Sequence, residues 1–399
     1  MSFKLKLFKK KKIHKNESNK LMSFFLTIKS LLMLILSYIL YHINLNVYDE
    51  IKILKDYYKI NNAGILLNNQ TKFKKVNNPK ISIISPVYNN EKYILRFIRS
   101  IQNQFFDDLE IILVDDCSQD NSTTIIERYQ REDERIILLK NHQNKGTLIS
   151  RNLGALKSKG EYLIFPDSDD MMEQNSLKKC YEAAVESNFD MIRFNMYSDL
   201  YFVFGYISNS LKIKIYQPEL RTYLVYGGGN NKLVDGVISN KFIKRNIFIK
   251  TLNNIDKYYL EQNMKYFEDG LMNYALYLNS ESLYLFKTIA YYYVYNEKSS
   301  SRALNEDLYI TCYFLYMKYI LENLKNEKYE RDIIFYLIDE YFPDNNMFES
   351  MTKYVQICIE VIDQILEIKD ITNFHKNKLN DMKNIIISKK NQTNSSFII

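Results

Sequence analysis

The chain has 399 residues, room for a catalytic domain of roughly 200–250 residues and further segments besides. Its 46% hydrophobic and 25% charged residues are the balance of a globular protein with a buried core, which sets aside a disordered or fibrous chain. Residues 1–20 hold eight lysines against the single acid Glu17, a local excess equal to the whole net charge of +7, so the remainder is balanced and offers no basic face for nucleic acid.

After the lysine tail, residues 21–45 form an apolar run with Lys29 as its one charge, long enough to span a membrane. The positive tail predicts a cytosolic N-terminus, and without a small-residue cleavage site the run reads as a retained signal anchor. The alternative is that Lys29 splits it into a shorter interfacial or core segment. Residues 46–79, polar and rich in Asn and Lys, then read as a stem.

From Lys80 the pattern alternates between strand and helix. Ile81–Pro86, Glu110–Asp115, Ile136–Lys140, Tyr162–Pro166 and Met191–Met196 are short apolar runs. Helical stretches over Glu91–Asn103, Ser122–Arg131, Thr147–Lys157 and Ser176–Ser187 separate them. Continuous apolar strands spaced by helices predict a doubly wound, mainly parallel α/β sheet with helices on both faces. Beyond residue 200, Leu211–Tyr216 alternates like a half-exposed strand, Asp269–Leu278 reads as a helix, and residues 303–399 read as a helical C-terminal extension.

Doubly wound sheets bind ligands at the carboxyl ends of their strands. Pro86-Val-Tyr-Asn-Asn-Glu91, Asp115-Asp-Cys-Ser-Gln-Asp120 and Asp167-Ser-Asp-Asp170 should therefore meet in one crevice. Carboxylates gathered there suit a hard divalent cation shared with a diphosphate, Mg²⁺ or Mn²⁺; the bland reading is an acidic turn before the Ser176 helix. Four cysteines far apart, with no CxxC pair, disfavour zinc. Asp116 could accept a hydrogen bond from a base, or Asp115-Asp116 could merely favour the N-terminus of the Ser122 helix, with Asp120 as its cap. Arg151 could reach the acids or a diphosphate, or be a surface helix arginine. Glu268-Asp269 could supply a general base, or simply cap a helix.

In order and spacing, Ile81-Ser-Ile-Ile-Ser-Pro-Val-Tyr-Asn89, Val114-Asp-Asp-Cys-Ser-Gln-Asp-Asn-Ser122, Ser150-Arg-Asn152 and Gly160-Glu-Tyr-Leu-Ile-Phe-Pro-Asp-Ser-Asp-Asp170 resemble glycosyltransferase family 2, the inverting enzymes of the GT-A fold. The match runs from about Lys80 to Asp199, with weaker echoes to Arg302. The resemblance implies a catalytic domain over 80–302 and a nucleotide-sugar donor, usually carrying UDP. Asp115 and Asp116 would lie at the base, with Pro86, Tyr88, Asn89, Glu91 and Arg151 around the nucleotide. Asp167, Ser168 and Asp169 would line the diphosphate, with Asp167, Asp169 and Asp170 as metal ligands. Glu268-Asp269 resembles the family's later ED pair, with Asp269 as base. Asn240-Lys241 resembles a segment preceding it, and Tyr295–Arg302 a serine-bearing loop that closes some family sites. The acceptor, a saccharide, glycoprotein or glycolipid, is poorly marked. Together with the anchor, this predicts a Golgi or ER membrane protein with a lumenal catalytic domain. The rival reading is a catalytically silent sugar-binding module of the same fold; a nucleotidyltransferase would need a Gly-rich phosphate loop that Ser85–Asn90 lacks.

Overall fold

Strands β1 (Ile81–Val87) and β2 (Leu109–Asp115) are buried at every residue, as apolar runs covered on both faces must be. They pair in parallel, Ile83 opposite Ile111, and β1 pairs likewise with β4 (Tyr162–Ile164) and β2 with β3 (Ile136–Lys140). Alternation divides the side chains between two cores. Ile84, Ile112 and Val114 face one, Ile83, Ile111 and Leu113 the other. Helices α1 (Ile94–Gln102), α2 (Ser122–Glu132) and α4 (Ser176–Ser187) cover the second face, and α3 (Thr147–Lys157) the first.

In this computed structural model the described residues are 73–198, 202–204, 214–217, 237–262, 264–294, 296, 305–323, 334, 337–338, 355–368 and 371–395. The lysine tail, the expected span over 21–45 and most of the stem lie outside them. Among the described residues no helix is long and apolar enough to cross a membrane.

The expectation of a mainly parallel sheet is corrected. The order is β3-β2-β1-β4-β9-β6-β10-β5, with β5 (Met171–Met172), β6 (Met191–Ser198), β9 (Lys241–Lys244) and β10 (Ser282–Tyr293). β9 inserts between β4 and β6 and runs antiparallel to both; β10 is parallel to β6 and antiparallel to β5. β7 (Phe202–Phe204) and β8 (Lys214–Tyr216) add antiparallel pairings to β6 and β10. β8 shows the expected half-exposure, with Ile215 buried between exposed neighbours. The mixture arises because β9 and β10 come from chain beyond the regular strand–helix repeat.

Helices α5 (Arg245–Asn254), α6 (Lys257–Leu260) and α7 (Glu268–Asn279) extend the first core. The C-terminal helices α8 (Glu306–Glu322), α9 (Val355–Leu366) and α10 (Asn373–Ser395) share it, through Tyr313, Ile320, Cys358, Val361, Ile365 and Leu379. At the sheet's far end, Phe73 bridges to Asp133 and its ring lies 3.9 Å beneath the Arg135 guanidinium, which is itself bound to the buried Asp133.

Gly160 marks a close approach. Its N–H donates to the Ser82 hydroxyl at 2.8 Å, and an added Cβ would lie 2.5 Å from the Ser82 backbone nitrogen. Backbone cannot yield as a side chain does, so Gly160→Ala should cost about 1–3 kcal/mol. A urea titration showing the parent midpoint would refute this close contact.

Candidate active site

The loops after β1 and β2 are laced to each other. Asn89 donates its backbone N–H to the Ser118 hydroxyl and accepts from the Gln119 N–H at 2.8 Å. Glu91 accepts from the backbone and side chain of Asn121, and Asp120 accepts from the Glu91 and Ser122 N–H groups. Asp120 thus braces the turn before α2, whose N-cap position is Asn121, not Asp120. Burial pushes its carboxyl up, but the Ser122 hydroxyl and the Glu91 and Ser122 N–H groups outweigh it and hold it below the usual range. Asn89 and Cys117 both adopt positive φ, 50° and 68°, a conformation non-glycine residues keep only where the surroundings impose it. Pro86 is buried, and its carbonyl accepts from Ser168, whose hydroxyl accepts in turn from Asn90. Tyr88 stands 48% exposed at the rim, free to present its ring to a base.

Asp115 and Asp116 face different tasks. Asp115 accepts from the Ser118 N–H and the Thr123 hydroxyl, bracing the turn into α2. Asp116, 3% exposed, accepts from the Asn141 amide, the Lys145 N–H and the Gly146 N–H, all at 2.7–2.9 Å. Its carboxylate thus fixes the loop that opens α3.

Arg151 on α3 is the hub of the acids. One guanidinium nitrogen donates to Asp269, the other to Asp167 at 2.6 Å, and its side chain is 5% exposed. Burial alone would lower the arginine's proton affinity, but Asp269, Asp167 and Glu268 raise it. Asp269 also accepts from the Ile238 N–H, and Glu268 accepts from the Thr147 hydroxyl at 3.1 Å. Leu148, Asn152, Ile238, Phe248 and Met272 wall a small cavity against Arg151, Glu268 and Asp269. The surface-arginine reading of Arg151 does not survive its burial.

Within Asp167-Ser-Asp-Asp170 the acids part company. Asp169 accepts from the Asn296 amide at 2.7 Å, while Arg96 grips its carbonyl. Asp170 is the third acid expected among the metal ligands. It is 1% exposed and turned inward, accepting from the Tyr291 hydroxyl and from the Val294 N–H at 2.7 Å. Burial, then Asp169 and Asp167, push its carboxyl well above the usual range. Among the described residues no three His, Cys, Asp or Glu side chains gather as a metal-holding group. Asp167 and Asp169 offer carboxylate oxygens of the kind a hard divalent cation takes.

Tyr291, Thr147 and Ile238 escaped the motif reading. Tyr291 belongs to β10, where no local pattern marks it. Of the expected closing loop 295–302, only Asn296 lies within the described residues. Lys241 is 0% exposed, its ammonium held by the Val237 and Asn240 oxygens.

Burial, then Asp269, raises Glu268 to about 7, opposed by Arg151 and Thr147; desolvation, with Asp169 and Asp269, raises Asp167 to about 6, opposed by Arg151. A carboxyl whose folded affinity exceeds its unfolded one binds more protons when folded, so it withdraws stability as pH rises through that window. Glu268→Gln should therefore gain stability relative to the parent as pH rises from about 4.5 to above 7. Parallel denaturation curves at every pH would contradict the burial of this acid.

Comparison with known proteins agrees with the geometry. The family model described as glycosyl transferase family 2 matches residues 82–252. Glycosyltransferase GlyG of Streptococcus pneumoniae serotype 4 is 35% identical over 118 residues, 30% of this chain and 39% of GlyG. The poly(ribitol-phosphate) beta-N-acetylglucosaminyltransferase TarS of Staphylococcus aureus is 28% identical over 236 residues, 58% of this chain and 39% of TarS. The chain thus spans about two fifths of the length of these curated relatives. The crystal structure of S. aureus TarS 1–349 with UDP-GlcNAc superimposes with a TM-score of 0.58 at 19% identity, covering 78% of this chain and 92% of that one. The likeness establishes the GT-A fold. The expected Golgi or ER setting is overturned, because these relatives are bacterial and bacteria have neither compartment. Residues 82–252 are thus a glycosyl transferase family 2 domain by sequence, on a fold shared with TarS 1–349.

Proposed function

We propose that the chain moves a sugar from a UDP-sugar onto a hydroxyl acceptor with inversion at the anomeric carbon, and that residues 80–302 carry the reaction. The observation that carries this reading is the Arg151 bridge, which sets Asp269 beside Asp167 at the sheet's open rim. Tyr88, Asn89 and Glu91 form the nucleotide side of the crevice, where Tyr88 offers a face for the base. Asp116 acts by fixing the 145–146 loop, and a direct contact with the base would require it to exchange one of its three donors. The donor class is supported by the TarS structure, which holds UDP-GlcNAc. The TarS name points to a polyol-phosphate chain as one form of acceptor; saccharides and glycolipids present the same nucleophile.

Family 2 enzymes commonly use a divalent cation, and Asp167 with Asp169 would hold it here; when bound it neutralises charge on the leaving diphosphate. The remaining work falls to the chain's own residues. Asp269 takes the acceptor's proton as the hydroxyl oxygen bonds to the anomeric carbon, while the bond from that carbon to the diphosphate oxygen breaks and UDP departs. A carboxylate has about four lone-pair sites. Arg151 and the Ile238 N–H engage only part of that capacity, so Asp269 can accept a further proton while held in place. Arg151 supplies positive charge near the developing diphosphate charge and keeps the base oriented.

Asp269→Asn should lower UDP release from the preferred UDP-sugar by on the order of 10²–10⁴ while UDP binding persists. A panel of UDP-sugars assayed with added Mn²⁺ and saccharide acceptors identifies that donor. Full turnover in Asp269→Asn removes Asp269 from the role. UDP binding by the parent chain without turnover on any donor favours the silent module.

A further inference from the structure

We infer that helix α8, the first helix of the C-terminal extension, is a positioning element for the base, acting through an aromatic clamp on Phe267. This rests on the reading of Asp269 as general base. The matched family region ends at residue 252, so neither the clamp nor the helix falls within it.

Phe267 immediately precedes Glu268-Asp269 and is the N-cap of α7, with φ 60° and ψ 3°. That is the left-handed region, which bulky side chains avoid. Glycine or asparagine would occupy the corner without the same cost, so the ring must be held by something. Tyr309, Tyr313 and Tyr316 of α8 surround it, with ring centroids at 5.1, 5.6 and 6.1 Å. Their spacing places the three on one face of the helix. Edge-on and tilted aromatic pairs at these separations are favourable beyond the area they bury.

Two further contacts tie the same corner to the same helix. The Asn305 N–H at the start of α8 donates to the Tyr266 hydroxyl at 3.0 Å, and the Tyr266 ring packs on Tyr309 at 5.6 Å. On the next turn, α7 approaches α8 so closely that a Cβ on Gly270 would lie 3.1 Å from the Tyr316 ring. The corner, the ring and the helix contact together set where α7 starts, and therefore where Asp269 stands relative to Arg151. An ordinary core contact would need the ring but not the strained corner. Here both occur one and two residues before the acids.

The test uses the full chain with UDP as the binding probe and UDP-GlcNAc as the turnover probe, water serving as acceptor. Phe267→Asn, which tolerates the left-handed corner but lacks the ring, should lower kcat for UDP release by on the order of 10²-fold, the cost of displacing a catalytic group by about 1 Å. UDP affinity should stay at the parent value, and Phe267→Tyr should recover most of the lost kcat. Gly270→Ala, which wedges α7 away from Tyr316, should also lower kcat and leave UDP affinity alone. Parent-level kcat in both Phe267→Asn and Gly270→Ala overturns the inference. So does loss of UDP affinity alongside kcat in both, because a clamp that acts on the base leaves the nucleotide loops intact. Asp269→Asn separates this from the underlying reading. Turnover that survives there sinks the base assignment, whereas turnover lost there but kept in the clamp variants sinks the clamp alone.

Discussion

The whole site depends on one guanidinium held out of water between two acids. Arg151 joins Asp167 to Asp269, a residue 118 positions further along the chain, and its side chain is almost fully enclosed. A buried charge is costly unless paired, and removing one partner leaves the others uncompensated. The two carboxylates would repel one another without the cation between them, so the acids are stable as neighbours only because α3 delivers that arginine. The delivery is itself fixed upstream, where Asp116 at the end of β2 holds the Lys145 and Gly146 N–H groups at the mouth of α3. Thr147, the first residue of the helix, then reaches Glu268. A continuous line of polar contacts runs from the end of β2 to Glu268 and Asp269.

Some of this was legible in the sequence and some was not, for physical reasons. The strands and helices from Ile81 to Ser187 declare themselves because each unit is short and its apolar pattern local. The acids of the three loops follow from strand-end topology. Asp269 was marked by its resemblance to a family pair, and it is joined to Asp167 through Arg151. The orientation of Asp170 could not be read, because adjacent identical residues carry no sign of which way each points. Only Tyr291 and the Val294 N–H, contributed by a distant strand, show that it faces inward.

The sheet has two characters. The edge from β3 to β4 is parallel, and the loops after β1 and β2 are hydrogen-bonded to each other at its strand ends. From β9 onwards the pairing is mixed, and that half brings Tyr291 of β10 against Asp170, while Lys241 of β9 is buried next to Asn240. The regular half obeys a repeating rule and can be read from periodicity. The other half is assembled from segments far apart in the chain, so its register emerges only from packing. This division follows the difference between the well-matched donor motifs and the poorly matched acceptor half.

The Phe73 stack on Arg135 bears on where this protein can be cut. The sequence pattern places the start of the catalytic domain at Lys80, yet Phe73 shields a guanidinium whose side chain is 1% exposed, and the Lys75 N–H reaches Glu134. A fragment beginning at Lys80 would bare one face of the buried Arg135–Asp133 pair to solvent and forfeit a cation–π contact. A fragment retaining Phe73 keeps that seal, so the functional minimum of the folded unit starts several residues before its first strand.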